Sequence, residues 1–272
     1  MTVTLIRGDC LDVMATLEAE SIDLTVTSPP YDNLRTYGKG FDADSFDWHP
    51  IIAELYRVTK PGGVVVWVVA DATIKGSETG TSFRQALWAM ECGFNLHDTM
   101  IYQVAGTGAK GSNYCYWQGF EYMFVWSKGK LNVVNRIRDV RNIRAGVKCT
   151  SGRKQHRTGT RLHSDQGTIV HKLGIRTNVW RYQAGNNGND QTDHPAPFPE
   201  ALAHDHIISW SNPGDMVFDP MLGSGTTGKI AVKLERDFIG IELDPPYFEI
   251  ASNRIQQAID DAGLEQQLKL EV

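Results

Sequence analysis

Phe218-Asp219-Pro220-Met221-Leu222-Gly223-Ser224-Gly225-Thr226-Thr227 is the stretch whose reading decides the fold. It leaves a short apolar strand over 216–219 and enters a helix over 226–235. Glycines at such a junction allow a tight turn and a close approach of backbone to a ligand. About twenty residues on, a strand over 238–242 ends in Glu242, and a carboxylate there suits the two hydroxyls of a ribose. Gly223-Ser224-Gly225-Thr226-Thr227-Gly228 has the GxGxxG spacing and Lys229 follows it, but Ile230 stands where a phosphate-binding loop carries Ser or Thr. A nucleoside cofactor is the expected ligand, and S-adenosylmethionine is one without a pyrophosphate. Asp219, Pro220, Gly223, Ser224, Gly225, Thr226 and Thr227 would cradle it, with Glu242 on the ribose. A turn that only packs helix on strand is the alternative at this point.

Working outward, strands and helices alternate. Ile22-Asp23-Leu24-Thr25-Val26-Thr27 reads as a strand. Ile51, Ile52, Leu55 and Val58 recur at helical spacing over 49–59, and Pro61-Gly62-Gly63 stops that helix. The unbroken apolar run over 64–69 predicts a strand buried on both faces, as in a parallel sheet. A helix over 82–92, strands over 98–104 and 122–126, and a helix over 199–211 follow. The simplest architecture is one parallel α/β sheet interrupted by an insert.

Thr27-Ser28-Pro29-Pro30-Tyr31 lies where the strand over 22–27 ends, the side on which open α/β sheets bind ligands. Pro29 lacks a backbone donor and has a fixed φ, while its carbonyl can still accept. Ser28 adds a hydroxyl and Tyr31 a flat ring. Two acceptors and a stacking face suit a planar aromatic amine. A Pro-Pro turn that merely caps a strand competes with this reading until the glycine turn is considered with it.

Charge is unevenly spread. The net value is −5, but residues 128–181 hold fourteen Lys or Arg against Asp139 and Asp165. That stretch therefore carries +12 and the remainder −17. A segment so basic can neutralise phosphates and release counterions. Arg141, Arg144, Lys148, Arg153, Lys154, Arg157 and Arg161 are its candidate DNA contacts.

Both turns, in this order and on either side of the basic stretch, resemble the amino-group DNA methyltransferases of the β arrangement. In that family a (D/N/S)PPY motif precedes the target-recognition region, and the cofactor motif follows it. Gly8-Asp9-Cys10 is similar to the family segment that contacts the cofactor adenine, implying roles for Asp9 and Cys10. His194-Pro195-Ala196-Pro197-Phe198-Pro199 resembles the lead-in to the cofactor site, implying a role for Phe198. Arg57 to Gly63 and Glu121 to Gly129 resemble two core junctions. Met221 departs from the family, which usually has an aromatic residue there.

The resemblance implies a Rossmann-like methyltransferase sheet, mostly parallel with one antiparallel strand, a circularly permuted motif order and a small basic insert. It divides the chain into a catalytic half of the core at 1–127, a target-recognition insert at 128–185 and a cofactor half at 186–272. It implies methyl transfer from S-adenosylmethionine to an exocyclic nitrogen, with Ser28, Pro29, Pro30 and Tyr31 as the catalytic turn. Ser rather than Asp at position 28 resembles the cytosine-N4 group; adenine N6 is the alternative. The base must leave the duplex to reach such a turn, and Arg35 and Tyr37 are candidates to hold it. Double-stranded DNA is the expected partner. A restriction endonuclease and a second copy of the chain are further candidate partners.

Asp244-Pro245-Pro246-Tyr247 is a second PPY tetrapeptide, but it opens a helix over 248–259, where proline is well tolerated. It is expected to be structural. Cys10, Cys92, Cys115 and Cys149 form no CxxC pair, and His204 and His206 face different ways on a helix, so no metal is expected. An apolar content of 41% excludes a structureless chain, and no apolar run approaches the ~18 residues of a membrane span. The start lacks the basic-then-apolar form of a signal peptide, so a cytoplasmic location is expected. A silent nucleic-acid-binding protein, an RNA methyltransferase and a protein-glutamine methyltransferase are the competing functions.

Overall fold

The computed structural model describes residues 1–30, 46–105, 116–149, 154–155, 161–162, 168–183, 199–263 and 268–271; at 105, 149, 154–155, 161–162 and 168 it describes the backbone alone. Tyr31, Arg35, Tyr37, Arg153, Arg157 and Phe198 therefore lie outside the described residues, as do the side chains of Lys154 and Arg161.

Among the described residues, the larger unit is one nine-stranded sheet with six helices. In chain order its elements are β1 (Val3–Arg7), α1 (Cys10–Met14), β2 (Ile22–Thr27), α2 (Trp48–Val58), β3 (Thr59–Val69), α3 (Thr81–Glu91), β4 (Asn95–Ala105), β5 (Phe120–Ser127), β6 (Val179–Gln183), α4 (Glu200–Trp210), β7 (Met216–Asp219), α5 (Thr226–Lys233), β8 (Asp237–Glu242), α6 (Pro245–Asp261) and β9 (Lys269–Glu271). The strands are ordered β6-β4-β5-β3-β2-β7-β8-β1-β9. β5 runs antiparallel to β3 and β4; the other neighbours are parallel. A mostly parallel sheet with one reversed strand is thus present.

β3 shows why. Val64 through Val69 are all buried, because helices cover both faces of a parallel sheet. α2 turns Ile51, Ile52, Leu55 and Val58 into that core. Asp47 caps its start by accepting from His49 N at 3.0 Å. Trp67 and Trp126, both fully buried, stack across β3 and β5 at 5.4 Å. The Trp67 Nε1–H donates to Gln85 Oε1 on α3 at 3.0 Å, so the indole is buried without an orphaned donor.

Several elements differ from the sequence reading. β3 begins at Thr59, not at 64: Pro61-Gly62-Gly63 ends the helix but stays in the strand, with a register shift against β2 between Ile22 and Leu24. Val3–Arg7 is itself a sheet strand, paired with β8 from Val3↔Phe238 to Arg7↔Glu242. Val179–Gln183 joins the sheet edge beside β4. α6 starts at Pro245, with Asp244 as its N-cap. Among the described residues no helix is long and apolar enough to cross a membrane.

The second compact unit is Arg136–Thr177. Its strands pair in nested fashion: 138–141 with 173–175, 148–149 with 168–169, and 154–155 with 161–162, all antiparallel. These three short two-stranded ladders are the described strands of this arm. Arg138, Arg141, Arg144 and Lys148 are exposed, and so are Val140, Ile143 and Val147. Arg176 donates from Nε to Asp139 Oδ2 at 2.9 Å, neutralising the first of the stretch's two acids.

Candidate active site

Four neighbouring strands, β2, β7, β8 and β1, end along one edge of the sheet. Their last residues or the ones just beyond are Ser28, Asp219, Glu242 and Asp9. The candidate site is therefore a product of topology: parallel neighbours bring four distant sequence segments to one carboxyl edge.

The glycine turn joins β7 to α5. Leu222 N donates to Ile241 O at 2.9 Å, folding the turn back onto β8. Gly223 N donates to Glu242 Oε2 at 2.7 Å and Asp244 N to Glu242 Oε1 at 2.9 Å. Gly225 is the N-cap of α5 with φ +81°, and a Cβ there would meet Ala251 of α6 at 3.0 Å. Both the left-handed backbone and the close approach require glycine. Arg254 of α6 donates to Ser224 O and, at 3.1 Å, to Ser224 Oγ; it lies 3.5 Å from Glu200, to which Lys229 also pairs at 2.8 Å.

Two carboxyl groups in this site are displaced upward. Burial raises Asp219 to about 6, against the hydrogen bonds it accepts from Thr27 and Met221 N. Burial likewise raises Glu242 to about 7, opposed by the Asp244 and Gly223 amides and reinforced by the Asp219 and Asp244 charges. The Cys10 thiol is pushed up to about 12, by burial first and Asp9 second, which leaves it an inert neutral group. Asp9 caps α1 by accepting from Leu11 N at 2.8 Å, and Gly8 N donates to Glu242 O at 3.1 Å. Asp9, Cys10 and Glu242 are thereby brought together, and Glu242 reaches Gly223.

On the neighbouring strand, Pro29 is buried and Ser28 and Pro30 are half-buried. The link to the cofactor side is Thr27, whose hydroxyl donates to Asp219 Oδ1 at 2.7 Å, while Thr227 Oγ1 donates to Val26 O at 3.2 Å. Neither Thr27 nor Arg254 was singled out from the sequence. A polar residue at the end of a buried strand was the available signal for Thr27; nothing local marks Arg254. The second PPY tetrapeptide opens α6: Asp244 Oδ1 accepts from Tyr247 N at 3.2 Å as an ordinary cap.

The residues present fit a nucleoside cofactor. Each Glu242 oxygen accepts one amide, so each keeps a lone pair for a ribose hydroxyl. Thr226 Oγ1, in the first turn of α5, is buried without a hydrogen-bond partner among the described residues. A helix start with a spare hydroxyl suits an amino-acid carboxylate. Among the described residues no cluster of His, Cys, Asp or Glu is arranged to hold a metal ion. His206 is buried, lowered by burial to about 3 and therefore neutral, and its Nδ1 accepts from Trp210 at 3.3 Å.

Comparison with known proteins shows the family. Residues 22–253 match the family model described as DNA methylase, of the N6/N4 methyltransferases. The chain is 49% identical over 257 residues to the orphan methyltransferase M.BamHII of Bacillus amyloliquefaciens, covering 93% of this chain and 91% of that protein. It is 29% identical to the DNA adenine methyltransferase YhdJ of Escherichia coli K12, covering 94% and 83%. Its fold is like that of the cytosine-N4-specific PvuII DNA methyltransferase, with a TM-score of 0.69, 20% identity and coverage of 100% and 95%. The chain belongs to the N6/N4 DNA methylase family. It is an S-adenosylmethionine-dependent DNA methyltransferase acting on an exocyclic amino group.

Proposed function

We propose that this chain methylates the exocyclic N4 of cytosine, in a base turned out of duplex DNA, with Ser28 and the Pro29 carbonyl as the acceptors of its amino protons. The observation that carries this reading is the seat of Ser28-Pro29-Pro30 at the end of β2, beside the glycine turn of β7 and joined to it through Thr27 and Asp219.

S-adenosylmethionine supplies an electrophilic methyl group on a sulfonium. The target nitrogen is a poor nucleophile because its lone pair is shared with the ring. Hydrogen bonds from its N–H groups to Ser28 Oγ and the Pro29 carbonyl favour a pyramidal nitrogen. Tyr31 would stack on the base and fix the angle of attack. The Ser28 hydroxyl is neutral, so it accepts a hydrogen bond without placing a carboxylate beside the pyrimidine. No covalent intermediate is needed. Glu242 would hold the ribose, and Asp9, Cys10 and Phe198 are the residues that would contact the adenine.

The arm at Arg136–Thr177 is the DNA-reading part. B-DNA's major groove admits a two-stranded ribbon, and the exposed Arg141, Arg144 and Lys148 lie along it. The orphan relative favours a solitary enzyme over one paired with an endonuclease. Likeness to the adenine methyltransferase YhdJ supports adenine N6 as the second reading.

The test is methylation of unmethylated genomic DNA, followed by digestion to nucleosides and mass spectrometry. N4-methylcytosine is expected. N6-methyladenine overturns the base assignment and keeps the catalytic turn. Absence of any methylated base, with cofactor binding intact, overturns the catalytic reading.

A further inference from the structure

β5 is the reversed strand of the sheet, so its beginning lies at the edge where its neighbours end. Thr27 is level with Trp67, and Trp67 with Phe124; Val69 is level with Tyr122. The ladder ends at Gly119, whose carbonyl accepts from Val104 N at 3.0 Å. Two residues further out are Trp117 and Tyr116. If both segments continue along their strands, the strand spacing and rise put Trp117 about 20 Å from Pro29, or roughly six base-pair steps.

These rings are bare. Tyr116 is 101% exposed and Trp117 70%. All seven tryptophans are among the described residues; Trp67, Trp126, Trp180 and Trp210 are buried and Trp48 and Trp88 half-buried, which leaves Trp117 as the exposed one. Phe120, 38% exposed, continues the aromatic edge inward through an edge contact with Tyr122 at 5.3 Å. A large flat ring held out in water beside a catalytic turn loses apolar burial unless a flat partner covers it.

We infer that Trp117, with Tyr116 beside it, stacks on a base of the substrate DNA within about six base-pair steps of the extruded nucleotide and holds the DNA in place. This rests on the DNA-methylating function above. Base stacking on an aromatic side chain tolerates any sequence, because every base has a π-face. Trp117 would thus add affinity without adding sequence preference, complementing the arginines of the arm. It is a positioning residue, not a catalytic one.

The test uses the full-length protein with unmethylated duplex DNA, following tryptophan fluorescence, DNA affinity and methyl transfer. DNA should quench the wild-type emission, and Trp117→Phe should abolish most of that quench while keeping near-normal affinity. Trp117→Ala should weaken DNA binding roughly 5- to 150-fold, the range for removal of one stacked base, with cofactor affinity unchanged. Trp117→Leu should behave like Ala, because it is apolar but not flat. Rescue by Leu, unchanged DNA affinity in Trp117→Ala, or a dimer in light scattering that Trp117→Ala splits would each overturn the inference, the last in favour of a second copy on this edge. Failure of the wild type to methylate DNA would instead sink the function on which the inference rests.

Discussion

The Thr27 hydroxyl donates to Asp219 Oδ1 across 2.7 Å with both residues buried, joining the strand that delivers Ser28 to the strand that delivers the glycine turn. Together with the Thr227 Oγ1 bond to Val26 O, this bond holds the proposed amine and methyl-donor halves of the site in register. Thr27→Val keeps the shape and removes the donor. It should destabilise the fold by about 1–3 kcal/mol, the cost of leaving a buried acceptor short of a partner. Turnover should fall more than cofactor affinity. Urea unfolding and a kcat measurement at saturating cofactor check both.

Gly225 and Gly214 form a matched pair. Both have positive φ, +81° and +84°, but a Cβ at 225 meets Ala251 at 3.0 Å, whereas at 214 nothing lies within 4 Å. Gly214→Ala should lose about 1 kcal/mol from backbone strain alone. Gly225→Ala should lose about 1–3 kcal/mol more through overpacking, and it should raise the KM for S-adenosylmethionine. Equal melting temperatures for the two variants would contradict this.

The pH dependence follows from Glu242 and Asp219. Their folded values, about 7 and about 6, lie above the ordinary 4.5 and 3.8. The folded state therefore binds protons more tightly than the unfolded one between those limits. Their contribution to stability is complete below about pH 4 and is lost as pH rises through 6 to 7. Glu242→Gln should flatten the upper part of that slope. Cofactor affinity should run the other way in the wild type, rising through about pH 7, since the ionised carboxylate is the better acceptor for ribose hydroxyls. Denaturation midpoints and titration calorimetry from pH 5 to 8 separate the two trends.

Tyr247→Phe should leave turnover within about twofold, because the backbone N–H of Tyr247, not its hydroxyl, makes the bond to Asp244. Asp244→Ala should lose about 1 kcal/mol of cap energy. Tyr31→Ala, in the other PPY turn, should cut methyl transfer strongly. The reverse ranking of the two tyrosines in a methylation assay would exchange the roles of the two turns.

Replacing Arg141, Arg144 and Lys148 together by Ala should make the slope of log K for DNA against log salt shallower, by roughly 0.9 for each phosphate that is no longer neutralised. A change in site preference at constant slope would make them base readers instead.

How much of this was legible in the sequence depends on the residue. The Val64–Val69 run and the strand-turn-helix of the glycine turn carry their own patterns; the run is a buried strand, though the strand begins five residues earlier, at Thr59. Val179-Trp180-Arg181-Tyr182-Gln183 gave no such pattern, since an edge strand buries only one face and here sits in a basic stretch. The arm at Arg136–Thr177 has weak periodicity because it has little core to face. Glu242 was read as a ribose acceptor; that it also binds two amides required the turn's geometry, as did the reach of Arg254 to Ser224 from thirty residues downstream.

The double grip of Glu242 on Gly223 N and Asp244 N has a thermodynamic consequence. Fixing a backbone residue costs about 1–2 kcal/mol of conformational entropy. Here the turn is ordered by a carboxylate already in place, so that loss falls on folding. A nucleoside arriving at this edge meets a prepared cradle, and its association is spared the entropic penalty of ordering a loop.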